Sequence, residues 1–279
     1  MVRRLLLKIA YDGSFFSGFQ RQPNEALQTV QGTLEETLAF LLKEPITIHG
    51  AGRTDAGVHA KAQMAHIDLQ CQIAPERLQY ALNRALPSAL VVRDIKEVHT
   101  DFHARKWTVG KWYSYLIYNG ALPPAIGSQY FTHVPVQMKA DLFQQVLEKI
   151  EGYHQFEGFC GRGSSVKTYD RTIYLSSLHL SNCQNWWQVH FIGDGFLRKM
   201  VRNIIGTAID VALERRPLSC VEEALETHDR KKAGPTAPSN GLVLERIFYE
   251  NQALEGVVEG LQKEEKNKIV FPWSTSFID

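Results

Sequence analysis

No apolar run in this 279-residue chain approaches the roughly 20 residues that a membrane-spanning helix needs. The apolar start, Leu5-Leu6-Leu7, is broken by Lys8, and Asp12 follows before any cleavage-like site, so a first strand is expected rather than a secretory leader. Cysteine is sparse. Cys71, Cys160, Cys183 and Cys220 lie too far apart for a Cys-x-x-Cys metal pair, and scattered thiols fit a reducing compartment, so a cytoplasmic location is expected. An excess of one charge is missing as well, because 31 Lys and Arg against 30 Asp and Glu give a net charge of +1. A nucleic-acid partner then requires that the charges be segregated into a local basic patch. Arg198, Lys199 and Arg202 form one cluster, and Arg162, Lys167 and Arg171 another. Glu35-Glu36, Glu222-Glu223 and Glu264-Glu265 lie elsewhere.

With 44% hydrophobic and 22% charged residues, the composition is that of a globular enzyme able to bury a substantial core. Hydrophobic periodicity predicts a strand over Arg3–Tyr11 and a helix from Val30 to Lys43, with Thr29 as its N-cap. It predicts strands over Ile46–Gly50 and Gln63–Leu69, a helix from Pro75 to Ala85 and a strand over Leu90–Val98. The order repeats in the second half: a strand at Trp112–Tyr118, a helix at Ala140–Glu151, and strands at Thr172–Leu180 and Trp186–Ile192. A long helix at Phe196–Glu214 and a strand at Leu242–Tyr249 complete it, with a short extra helix near Ser219–Thr227. The fold class is therefore α+β, two ferredoxin-like halves over residues 1–105 and 106–250 sharing a mixed, mainly antiparallel sheet. Residues 251–279 remain an unassigned tail.

The most informative stretch is Gly52-Arg53-Thr54-Asp55-Ala56-Gly57-Val58-His59-Ala60, a carboxylate and an arginine in a glycine-flanked turn between two strands. Taken alone, Asp55 is a nucleophile, a base or one half of a surface ion pair. Arg53 carries a planar guanidinium able to stack on a base or bind phosphate. The stretch resembles the active-site signature of the TruA family of tRNA pseudouridine synthases. Tyr11-Asp12-Gly13, Gly18-Phe19-Gln20 and Thr29-Val30-Gln31-Gly32 follow that family's opening, and Phe102-His103-Ala104-Arg105 with Lys111-Trp112-Tyr113-Ser114-Tyr115 its second segment. Gly163–Thr168, Gly195–Gly206 and Ala237–Leu242 match later ones. Phe19 replaces the usual Trp, and Gln155 stands in a run that is usually His-Asp-Phe.

The resemblance implies conversion of uridine to pseudouridine at positions 38, 39 and 40 of the tRNA anticodon arm, by a homodimer with a basic cleft between the halves of each chain. It gives Asp55 the role of nucleophile or base, Arg202 that of its ion-pair partner, and Tyr113 that of stacking on the target base. Arg53, Arg198 and Lys167 are candidates for RNA contact, and Leu242 or Leu244 for the apolar floor of the pocket. No cofactor or metal is expected, and His59 and His66 receive no catalytic role. Two other readings stay open: a catalytically silent tRNA-binding protein on the same fold, and a hydrolase pairing Asp55 with a histidine.

Overall fold

Alternation in the first strand, β1 (Arg3–Tyr11), turns Leu5, Leu7 and Ile9 fully inward in a computed structural model that describes residues 2–24, 26–163, 166–183, 185–263 and 269. α1 (Val30–Leu42) begins at Thr29, whose side-chain oxygen accepts from Gly32 N–H at 3.1 Å and so satisfies one orphan donor of the first turn. β2 is only His49–Gly50, shorter than the apolar alternation from Ile46 predicts. Ile46 and Ile48 are buried, but Ile48 N–H donates to the Glu35 carboxylate at 3.0 Å instead of to a strand. Glu35 is itself buried and also accepts from Gln31 Nε2 at 2.8 Å, so it braces the core and adds nothing to an acidic surface. β3 (His59–Leu69) starts earlier than expected, and α2 (Pro75–Ala85) and β4 (Leu90–Val98) fall where periodicity puts them.

β1 pairs antiparallel with both β3 and β4, and β2 adds to β3, giving the four-one-three-two order of a ferredoxin-like half. α2 is fastened to β4 through Asn83, whose amide takes Val92 N–H and gives to Val92 C=O, both at 2.8 Å.

The second half runs β5 (Gly110–Tyr118), β6 (Thr132–His133), α3 (Ala140–Ile150), β7 (Gly152–Gln155), β8 (Asp170–Leu180), β9 (Trp186–Gly193), α4 (Met200–Ala212) and α5 (Ser219–Thr227). Its strands follow the order β6-β5-β9-β8-β7, antiparallel except for the short β5–β6 pair. α3 packs on α4 and β8, with Phe143 edge-on to Trp187 at 5.6 Å. α4 begins four residues later than the apolar spacing from Phe196 suggests. Lys199 at its N-cap has φ 59°, a left-handed conformation that stops the helix from extending backwards. Arg198 therefore lies in a turn and does not share a helix face with Arg202. β10 (Leu242–Phe248) runs parallel to β3 through Val243↔His59 and Leu244↔Ala60.

Packing divides the chain into two units, one running to Val109 and including Val243–Glu250, the other Gly110–Leu242 with the chain from Asn251 onward. The first part of the tail is a helix, α6 (Asn251–Lys263), which buries Leu254 and Leu261. Glu264-Glu265 and Phe271-Pro272-Trp273 lie outside the described residues.

His66, in β3, is 2% exposed and its Nδ1 accepts from Ala104 N–H at 3.2 Å. It stacks on His49 at 4.9 Å and meets the edge of His103 at the same distance. Burial first, then the charges of Arg4, His49 and His103, push its pKa down to about 4. The unfolded chain takes this proton near pH 6.5 and the folded chain only near 4, so the neutral ring contributes stability that is complete above about 6.5 and lost as pH falls towards 4. Urea denaturation at a series of pH values is expected to show that decline in wild type and a shallower one in His66→Gln. Equal slopes for the two proteins would count against a buried neutral His66.

Candidate active site

Asp55 lies in the loop joining β2 to β3, partly exposed, with its backbone carbonyl taking Val58 N–H at 3.2 Å to close the turn. The loop has two anchors. On the β3 side, Ala51 N–H donates to Met64 C=O at 2.8 Å and Gln63 Nε2 to Gly52 C=O at 3.1 Å. On the β1 side, the segment after Tyr11 is stitched to it: Phe19 N–H donates to Thr54 C=O at 3.1 Å and Gly57 N–H to Phe16 C=O at 3.3 Å. The Tyr11 hydroxyl meets Thr54 Oγ1 at 2.8 Å, and burial, opposed by hydrogen bonds with Thr54 and Gln63, pushes the phenol up to about 12. Tyr11 is thus an uncharged strut against Thr54, the residue before Asp55.

The glycines of the opening motif have steric reasons. A Cβ on Gly13 would stand 2.1 Å from the Val58 carbonyl oxygen. Gly18 has φ +96°, and a Cβ there would stand 2.9 Å from Thr54 O. His59 Nδ1 accepts from Gly13 N–H at 3.0 Å, which makes it another tie between the two segments. Phe19 fills this core with 1% exposure, and Gly50 leaves the room its ring occupies. The ring that replaces the usual Trp is therefore a packing residue. Arg53 is exposed on the same loop, one residue from Thr54 and two from Asp55. Leu244, in β10 beside Ala60, is 1% exposed, and the adjacent Glu245 pairs with Lys61 Nζ at 3.1 Å.

In the other unit, Tyr113 of β5 is 7% exposed and its ring meets Phe196 edge-on at 5.3 Å. Tyr115, on the same strand face, donates from its hydroxyl to Pro238 C=O at 2.8 Å and contacts Thr132 Oγ1 at 2.5 Å. Burial raises its pKa, opposed by Thr132 and by the positive charge of Arg202. Arg202, in the first turn of α4, is half-buried, and its Nε donates to Ala237 C=O at 2.8 Å while Ala237 N–H donates to Arg202 C=O at 3.0 Å. The first bond restrains the guanidinium, and the second fastens the Ala237 peptide to the helix.

Arg198 is exposed and gives its Nη1 to Arg162 C=O at 3.0 Å and Gly163 C=O at 3.4 Å, while Gly161 N–H donates to Arg198 C=O at 2.7 Å. The two basic groups of the sequence thus meet through the 161–163 turn, and not along a helix. Lys167 is exposed farther along that loop, and Ser164 and Ser165 between them lie outside the described residues. Gln155, the departure from the family pattern, ends β7 paired with Asp170.

Sequence reasoning left out Asn203, Thr207, Arg230 and Thr236, which bind the 233–237 segment to α4. The available signal was a pair of polar residues, Asn203 and Thr207, one turn apart on an otherwise apolar helix. Among the described residues no group of three or more His, Cys, Asp or Glu side chains is arranged to hold a metal ion, and no helix is long and apolar enough to cross a membrane.

Comparison with known proteins follows the same residues. The family model described as tRNA pseudouridine synthase matches residues 8–105 and 146–250, segments that contain Asp55 and Arg202 and leave Tyr113 between them. A tRNA pseudouridine synthase A of Streptococcus pneumoniae (strain Taiwan19F-14) is 41% identical over 243 residues, 87% of this chain and 97% of that protein. One from Streptococcus thermophilus (strain CNRZ 1066) is 40% identical over the same shares. Among solved structures, a chain of a Cbf5-Nop10-Gar1 complex aligns over 82% of this chain and 69% of its own length, at 14% identity and a TM-score of 0.31.

Proposed function

We propose that this chain, which belongs to the tRNA pseudouridine synthase family and isomerises uridine in tRNA to pseudouridine, acts at positions 38, 39 and 40 of the anticodon arm. The reaction breaks the bond from N1 of uracil to the ribose carbon, rotates the base and joins C5 to that carbon; the C5 hydrogen leaves as a proton and N1 takes one up. Atoms and electrons balance once that exchanged proton is counted, so no redox cofactor is needed.

The observation that carries the site assignment is Asp55, partly exposed on a loop anchored from two sides. An ionised carboxylate there serves as nucleophile towards the ribose carbon or C6 of the ring, or as base for a sugar proton. A substrate base packed over it removes water and disfavours the charged form, and a fixed cation offsets that loss. Arg202 suits the part. With Nε tied to Ala237, its Nη groups hold a defined direction, and a guanidinium matches a carboxylate in a planar fork. Tyr113 gives an aromatic ring for the target base, and Leu244 an apolar surface.

A uridine within a stem has to leave the stack before reaction, and exposed Arg53 beside Asp55 fills the gap or binds the backbone. Arg198 and Lys167 contact phosphates, and the remaining RNA is read by shape, since side chains do not read the deep A-form major groove. Tolerance of three neighbouring positions follows from that mode. The enzyme works in the cytoplasm as a homodimer. A silent tRNA-binding protein would keep the RNA contacts and lack the exchange of hydrogen at C5.

Tritium release from tRNA labelled at uracil C5 separates these readings. Asp55→Asn is expected to lower single-turnover release by about a hundredfold or more, the scale of a lost acid–base or nucleophilic group. Its tRNA affinity should stay within about tenfold, ~1.4 kcal/mol. Release above about a percent of wild type would remove Asp55 as the essential group. Binding should also weaken as salt rises despite the near-neutral total charge, and neutralising Lys167 or Arg198 should lower the logarithmic salt slope by roughly one ion each. An affinity indifferent to salt would leave the basic patch without a role.

A further inference from the structure

We infer that Arg230 is a positioning residue for Arg202: it clamps the 233–237 segment to α4, and that segment in turn aims the Arg202 guanidinium. The inference rests on the role proposed above for Arg202. Arg230 Nη1 donates to Gly234 C=O at 2.8 Å and Ala233 C=O at 3.3 Å, and Nη2 donates to Asn203 Oδ1 at 2.9 Å. Asn203 is fully buried on α4, next to Arg202, and its own amide donates to Phe159 C=O at 2.7 Å, so this acceptor is held still. Thr236 Oγ1 donates to the same Asn203 Oδ1 at 2.6 Å. One turn on, Thr207 Oγ1 accepts Gly234 N–H at 2.7 Å.

The segment lies so close to the helix that a Cβ on Gly206 would stand 1.8 Å from Pro235 O. Ala237, the next residue after this clamp, is the one that holds Arg202 from both its N–H and its C=O. Arg230 therefore reaches Arg202 by two short paths. One runs through the backbone from Gly234 to Ala237, and the other through Asn203 to its chain neighbour. Arg230 finds no carboxylate among these partners; they are two peptide carbonyls and two neutral side-chain oxygens, Thr236 being the longest contact at 3.4 Å. Burial, with Arg216 and Arg162 nearby, lowers its pKa, which fits a cation kept for its geometry and not for ion pairing. A single ammonium lacks the fork that spans the carbonyls and Asn203 together.

The test measures tritium release and tRNA binding by the full chain for Arg230→Met, Arg230→Lys and Thr236→Val, with Arg202→Met as reference. Arg230→Met should lower kcat by about ten- to a hundredfold, the scale of a misplaced catalytic partner, with tRNA affinity within about threefold. Arg230→Lys should recover only part of the rate. Wild-type kcat in folded Arg230→Met would overturn the inference, as would a loss that disappears on assay far below the variant's melting temperature. If Arg230→Met does not fold, Thr236→Val, which keeps the cation and the shape, should show a smaller fall in kcat with tRNA affinity unchanged; a wild-type kcat there overturns it too. Full activity in Arg202→Met would sink the role of Arg202 itself, whereas an inactive Arg202→Met beside a normal Arg230→Met would sink only the clamp.

Discussion

The first unit depends on how closely the backbone after β1 approaches the loop that carries Asp55. Thr54 C=O is taken by Phe19 N–H, Phe16 C=O takes Gly57 N–H, and Gly13 faces Val58 at a distance no side chain tolerates. Main-chain groups have no rotamers to lose, so a loop held this way places a side chain more firmly than one held by long polar residues. The opening motif and the nine-residue stretch are thus two faces of one contact. Tyr11, Gly13 and Gly18 are suited to their places by what sits against them: the Thr54 hydroxyl, the Val58 carbonyl and the Thr54 carbonyl. Strand alternation in β1 sets the starting point, since Leu5, Leu7 and Ile9 are anchored in the core and fix where Tyr11 ends.

The second unit solves the corresponding problem for a cation by another route. A helix gives Arg202 a place but not a direction, because its side chain has several soft torsions. Tying Nε to a peptide carbonyl removes most of that freedom, provided the carbonyl is itself fixed. Asn203, Thr207 and Gly206 are spaced so that one helix face receives the 233–237 segment by hydrogen bonds and by contact at once. An apolar helix that carries such polar residues would lose stability if they were unmet, so the segment and the helix require one another.

Much of this was legible in the residues. The bounds of β1, α1, α2 and β4 follow from alternation, periodicity, a threonine cap and a proline at the first helical turn, all of them local causes. The misreadings share a different origin. Ile46 and Ile48 alternate because they are buried, yet the hydrogen bond that would make Ile48 part of a strand goes to Glu35, a residue of α1 whose carboxylate reads in sequence as surface charge. Leu197 and Met200 keep helical spacing, but Lys199 turns left-handed and Gly161 N–H takes the Arg198 carbonyl. Both cases are contacts between residues distant in sequence, and periodicity carries no trace of them. The nine-residue stretch stands out because its residues are contiguous, while the 233–237 clamp is built from single residues in three separate segments.

The near-zero net charge becomes consistent with a nucleic-acid partner once the ion-paired acids are placed. Glu97 is spent on Arg3, Asp68 on Arg4, Glu245 on Lys61, Glu223 on Lys232 and Asp210 on Arg216. Glu222 likewise pairs with Lys149. These pairs cancel where they stand, and their fields fade within about a Debye length of 8–10 Å. Arg198, by contrast, binds carbonyl oxygens, which orient its charge without neutralising it, and Arg230 does the same. Charge summed over the chain averages paired and unpaired groups together. A polyanion responds to the cations within reach that no acid neutralises, and Arg198, held by the carbonyls of the 161–163 turn, is of that kind.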